Sequence, residues 1–130
     1  MSIEENKATI RNLFEKGWNK KNIEAIAQFY TPGENVEGLK QFASLIFAAF
    51  PDYQLTVEEL IAEGDKVVVR WRAQGTHKGV WRGLAPTGKM FDILGIDIER
   101  LADGKIVAEV GVFENLTMLE QLGVELPGAH

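Results

Sequence analysis

The sequence predicts an α+β fold, and three observations carry that expectation. Apolar residues recur at helical spacing up to Pro51. Beyond Pro51 the pattern changes to alternating runs rich in β-branched residues. Two of these runs meet at Asp103-Gly104, a dipeptide that favours positive φ at both positions of a tight hairpin. Helices first and then a series of antiparallel strands is the α+β order.

The first helix opens on Ser2, with Glu5 three residues later as its capping-box partner. Ile10, Leu13, Phe14, Gly17 and Trp18 then form one face, which is expected to be buried. The polar stretch Asn19 to Asn22 turns the chain, and Asn22 caps a second short helix bearing Ile23, Ile26, Ala27 and Tyr30. Thr31-Pro32-Gly33 breaks that helix. A third runs from about Asn35 to Ala49, with Leu39, Phe42, Ala43, Ile46, Phe47 and Phe50 as its apolar stripe, and Pro51 stops it. Strands are expected over Tyr53–Val57, Val67–Thr76, Met90–Leu101 and Ile106–Phe113. Glu63 to Lys66 forms a turn, and a glycine-rich connection spans Gly75 to Gly88. Thr117 with Glu120 reads as a second capping box, and Gly123 as the C-terminal stop of a short last helix.

The last two strands are apolar on both faces: Phe91 and Ile93 alternate with Leu94, Ile96 and Ile98. Helices can cover only one side of such a sheet. A second copy is the simplest cover for the other, so a homodimer through the sheet is expected.

At 130 residues the chain is the length of one domain, spanning 1–130. Its 45% hydrophobic and 25% charged content is ordinary for a globular protein. Nineteen acidic residues against fourteen basic give a net charge of −5, and the longest basic pairings are Lys20-Lys21 and Arg70 with Arg72. That lacks the basic footprint of a nucleic-acid binder. No apolar run reaches the roughly 20 residues of a membrane span, and the acidic start Ser2-Ile3-Glu4-Glu5 is unlike a signal peptide. A cytoplasmic protein with no nucleic-acid or membrane partner is expected. The absence of cysteine excludes disulfides, thiolate nucleophiles and iron–sulfur ligation. The only histidines are His77 and the terminal His130, too few for the ligand sets catalytic zinc prefers, so no metal is expected.

Two motifs fail on context. Gly83 to Lys89 matches GxxxxGK, but Met90 replaces the magnesium-holding hydroxyl and a strand follows instead of a helix. Ser44 lies mid-helix without a nucleophile elbow. Carboxylates and one histidine remain. Asp97 shares a strand face with Phe91, Ile93, Gly95, Glu99 and Leu101. A carboxylate there must either pair with Arg70 or Arg72 on a neighbouring strand or have its pKa raised by desolvation, as proton-transfer chemistry requires. Glu109 and Glu114 fall on opposite faces of the last strand by parity, and parity does not say which faces inward. His77, where strand gives way to loop, is either a structural histidine bonding backbone or a general acid/base. Trp18, Trp71 and Trp81 are core or the aromatic wall of a pocket for a flat apolar ligand.

Several stretches, in order, resemble the SnoaL-like polyketide cyclases, or ester cyclases, of the nuclear-transport-factor-2-like superfamily. They are Glu4-Glu5-Asn6-Lys7 through Trp18-Asn19, Glu37-Gly38-Leu39-Lys40 through Phe50-Pro51-Asp52, Gly75-Thr76-His77-Lys78-Gly79 through Pro86-Thr87-Gly88-Lys89, and Gly95-Ile96-Asp97-Ile98 through Lys105-Ile106-Val107. The ending Leu119-Glu120-Gln121-Leu122-Gly123 is also similar. The resemblance implies a cone: three N-terminal helices over a strongly curved antiparallel sheet, enclosing one pocket. It implies cofactor-free chemistry in which an acidic residue removes a proton next to a carbonyl, leading to aldol-type cyclisation or isomerisation, with the pocket stabilising the enolate. Asp97 matches the polar position on the third long strand and would be the base; His77 or Glu114 would orient or act as acid. Phe14, Trp18, Arg70 and Trp71 would line the substrate pocket. The chain departs from the family pattern at Gly111, where an acid or amide is usual, and at Tyr30–Asn35, where a longer polar segment is usual. Those departures argue against polyketide cyclisation itself. Two other readings stay open in the same cone: a non-catalytic small-ligand-binding module, and a hydratase or dehydratase.

Overall fold

The computed structural model describes residues 2–125; Met1 and residues 126–130, His130 among them, lie outside the described residues. Helix α1 (Ile3–Asn12) begins at the expected capping box, the Ser2 hydroxyl accepting from the Glu5 N–H and the Glu5 carboxylate from the Ser2 N–H, both at 3.1 Å. It does not stay α-helical to Trp18. Leu13–Trp18 widens into a π turn, with Asn19 N–H donating to the Phe14 carbonyl at 2.9 Å and Asn22 N–H to Gly17 at 3.0 Å. Such five-residue spacing inside a helix recurs at functional sites. The expected face is buried across the change. A Cβ at Gly17 would stand 2.8 Å from Ile26 Cγ1, so glycine lets the next helix close in.

Helix α2 (Ile23–Gln28) is capped by Asn22, whose Oδ1 accepts from the Ala25 N–H at 3.0 Å. Thr31-Pro32-Gly33 separates it from α3 (Glu34–Ala49). Four strands follow: β1 (Gln54–Glu63), β2 (Lys66–Thr76), β3 (Met90–Ala102) and β4 (Lys105–Phe113). They form one curved, unclosed antiparallel sheet in the order β1-β2-β3-β4. The α+β expectation holds. Strand β1 runs well past Val57, because a register shift between Val57 and Glu59 interrupts the period-two pattern without ending the strand. The β3–β4 turn is as expected, with φ of 51° at Asp103 and 77° at Gly104. Strand β3 follows Lys89 directly, so the GxxxxGK segment opens no helix.

The last helix, α4 (Asn115–Gln121), corrects the sequence reading. It starts two residues before Thr117, so the Thr117–Glu120 capping box does not form. Its end is as expected. Gly123 has φ of 90°, its N–H donates to the Glu120 carbonyl at 3.0 Å, and the Val124 N–H reaches the Leu119 carbonyl at 2.9 Å. This pair of bonds is a Schellman motif.

Alternation sorts the sheet into two faces. Val67, Val69, Ala73, Phe91, Ile93 and Leu101 are buried beneath the helices. On the opposite face Ile96 pairs with Val112 and Ile98 with Val110, and these four are 41–72% exposed. No helix among the described residues is long and apolar enough to cross a membrane.

Candidate functional site

The helices and the inner face of the sheet surround a cavity of about 260 Å³. The π turn supplies Phe14 and Trp18 to its wall, and the sheet supplies Trp71, Phe91 and Ile93. Tyr53 and Trp81 complete an aromatic lining, with Trp18 and Tyr53 ring centroids 6.1 Å apart. Into this apolar space project three carboxylates, Asp97 and Glu99 from β3 and Glu109 from β4. Register brings them together. Glu99 sits opposite Glu109, and Asp97 opposite Gly111.

Asp97 is partly buried and Glu99 is 1% exposed. Burial pushes the Asp97 carboxyl up to about 6; the Trp71 indole N–H opposes the shift, the Glu109 charge adds to it, and hydrogen bonding with Glu99 opposes it. Trp71 Nε1 is buried and has no hydrogen bond of regular geometry among the described residues. Burial pushes Glu99 much further up, and the bond to and charge of Glu109, then Asp97, push the same way. Glu99 therefore stays protonated at neutral pH while Asp97 ionises. Glu109 is exposed and accepts a 2.7 Å hydrogen bond from the Tyr30 hydroxyl. Burial, then the Asp97 charge, raises the Tyr53 phenol above its ordinary range, so it remains a donor.

Two glycines make the room. A Cβ at Gly95 would stand 2.5 Å from Trp71 Cε2 and Cη2, so the indole lies flat across that position. A Cβ at Gly111 would overlap Asp97 Oδ1 and stand 2.9 Å from its Cγ. The missing side chain at Gly111 is thus the space that the Asp97 carboxylate occupies.

One oxygen from each of Asp97, Glu99 and Glu109 lies within 4.8 Å of the others, a spacing that could hold a metal ion. Hard cations take six or more oxygen ligands. The surrounding wall is mostly aromatic and aliphatic, and a proton on Glu99 relieves the same repulsion.

Of the residues singled out from sequence, Asp97, Phe14, Trp18 and Trp71 line the cavity; Arg70, His77 and Glu114 do not. Arg70 and Arg72 lie opposite Ile96 and Leu94, on the outer face, so neither pairs with Asp97. Arg72 binds Asp92 instead, and Arg70 approaches Glu59 at 4.0 Å. His77 is fully buried against Phe50 and holds its loop closed. Its Nδ1 accepts from the Thr87 N–H at 3.2 Å. Glu114 ties the start of α4 to β3, accepting from the Leu94 N–H at 2.7 Å. Sequence reasoning passed over Glu99, Tyr30 and Tyr53 as site residues. Glu99 carried a signal, since it lies two positions from Asp97 on the same face.

The family model for SnoaL-like polyketide cyclase matches residues 8–122. Among solved structures, AclR, a proposed hydroxylase from Streptomyces galilaeus, superposes with a TM-score of 0.86 at 27% identity, covering 98% of this chain and 87% of that one. A proposed SnoaL-like polyketide cyclase from Jannaschia sp. CCS1 gives 0.85 at 26% identity, covering 97% of each. IdmH, a proposed polyketide cyclase from Streptomyces antibioticus, gives 0.76 at 31% identity, covering 92% of this chain and 99% of that one. No curated protein matches the sequence.

Proposed function

The chain belongs to the SnoaL-like polyketide cyclase family, and from that premise we propose that it removes a proton next to a carbonyl without a cofactor, with Asp97 as base. One observation carries this reading. Two carboxyl groups, two residues apart on one strand face, share one apolar cavity, and burial raises both, Glu99 further than Asp97. Groups whose environments split their pKa values are the natural base and acid of a site. Asp97 takes the proton from carbon, and the electron pair moves into the enolate with negative charge on the carbonyl oxygen. Tyr53 and protonated Glu99 are the donors available to that oxygen. Phe14, Trp18 and Trp71 hold a flat, apolar substrate by burial and exclude water.

The test is proton–deuterium exchange at the acidic carbon of 2-tetralone and of a panel of β-keto esters, followed by NMR in deuterated water. Exchange is expected to exceed that of a matched acetate solution and to rise with pH through an inflection near 6. Compounds that bind in the cavity yet never exchange would instead favour the binding-module reading.

The working form is proposed to be a dimer through the outer sheet face. The supporting feature is the exposed set Ile96, Ile98, Val110 and Val112, whose exposure is unusual for contiguous apolar residues. Light scattering on a sizing column is expected to give twice 14.5 kDa. Val112→Lys is expected to give a monomer that keeps its helical and strand signals. A wild-type monomer at high concentration would refute the assembly.

A further inference from the structure

A second hollow, a cleft of about 650 Å³, lies against the cavity, and Tyr30, Leu39 and Glu109 line both. The polar part of this shared wall is closed by the Tyr30–Glu109 hydrogen bond. The cleft is mixed in character, with Pro32, Val36, Ile106 and Ala108 beside Thr31 and Asn35. Its rim is the Tyr30–Asn35 connection. That segment is anchored to β4 by Ile106, which receives the Thr31 N–H at 3.0 Å and donates to the Phe29 carbonyl at 2.9 Å. Backbone therefore fixes the rim, and the closure itself is made by two side chains.

We propose that the cavity and the cleft are two compartments of one binding site, divided by the Tyr30–Glu109 pair, and that the ligand is an elongated molecule with a ring system in the cavity and a chain reaching past Tyr30 into the cleft. The chemistry of the two spaces supports that division. The cavity is aromatic and apolar, suited to a flat head. The cleft mixes aliphatic and polar walls, suited to a chain carrying occasional oxygen or nitrogen atoms. A hydroxyl or amide at the crossing would replace the broken bond, donating to Glu109 and accepting from Tyr30. A ligand confined to the cavity has no reason to disturb the pair. An elongated one must break it, at the cost of one hydrogen bond to a carboxylate.

The inference rests on the cavity as the ligand site, and not on proton transfer there. The probes are acetophenone, short enough for the cavity alone, and octanophenone, which carries the same head and a long chain. Amide shifts in nitrogen-15 NMR report which compartment is filled. Acetophenone is expected to move Ala73 and Gly111 only; octanophenone is expected to move these and also Val36 and Ala108. Tyr30→Phe keeps the ring and removes the bond. It is expected to tighten octanophenone by about tenfold, the scale of one hydrogen bond to a charged group, and to leave acetophenone unchanged. Octanophenone moving the cavity amides alone, or equal tightening of both ketones, would overturn the two-compartment site. Acetophenone moving no cavity amide would overturn the ligand site itself, and this inference with it. Failure of Asp97 to exchange protons would leave the result intact.

Discussion

Asp97→Asn is expected to make the protein more stable at neutral pH while ending proton exchange on 2-tetralone. The Asp97 carboxyl moves from 3.8 to about 6 on folding. The folded chain thus holds this proton more tightly than the unfolded chain does. The stability gained from that proton is fully present below pH 3.8 and is lost as pH rises through 6. Roughly two pKa units correspond to about 3 kcal/mol, reduced to ~2 kcal/mol because Asp97 keeps some solvent contact. Asparagine has the same shape without the charge, and its amide can donate to the acidic neighbours. In urea titrations the variant is therefore expected to exceed the wild type by ~2 kcal/mol at pH 7.5 and to match it near pH 4. Glu99→Gln is the comparison. Glu99 is protonated in the fold but ionised in the unfolded chain at pH 7.5, so glutamine there should also raise stability at pH 7.5, with the gain fading toward pH 4. An Asp97→Asn gain that is absent, or that persists undiminished at pH 4, would show that the carboxylate is not held against its preference. The exchange reading would then lose its base.

The sequence revealed those parts of the site that depend on local period, and hid those that depend on pairing. Parity alone put Asp97 on the face with Phe91, Ile93 and Leu101, and that face is the inner one. The same parity put Glu99 beside it, but two acids on one apolar face look like an error until a shared proton is considered. Whether an arginine answers Asp97 depends on register, and register turns Arg70 and Arg72 outward. Glu109 and Glu114 could not be separated by parity, because the strand's end was unknown; pairing with Glu99 selects Glu109. Capping chemistry was legible at Ser2 and Asn22, where one start was available. It misled at Thr117, where packing against β3 began the helix earlier. The π turn left no mark, since Leu13, Phe14 and Trp18 suit either helical geometry. Tyr30 and Tyr53 stood in the sequence only as members of a helix and a strand, and only the cavity makes their hydroxyls matter.

Gly111→Ala is expected to lower exchange by about a hundredfold without unfolding the chain. A methyl at this position would overlap Asp97 Oδ1 and stand 2.9 Å from Asp97 Cγ. The Ile96 carbonyl, a backbone atom, would be 3.2 Å from that methyl, so the backbone can yield only slightly. The carboxylate must therefore swing. A displacement of about 1 Å at a reacting group is enough to cost roughly two orders of magnitude. The fold should tolerate the change, because Gly111 is exposed on an edge strand and has no positive φ to lose. Because Gly111 itself is exposed, the displaced carboxylate is expected to move toward water. There it loses the burial that raises its pKa. Its ionisation should then fall from about 6 toward 3.8, and the pH profile of the residual exchange should move down with it. That second readout separates a positioning role from a general loss of packing. A packing defect would lower stability and leave the inflection near 6. Unchanged exchange with an unchanged inflection would mean that Asp97 does not need the space Gly111 leaves, and that the glycine is only an empty place in the strand.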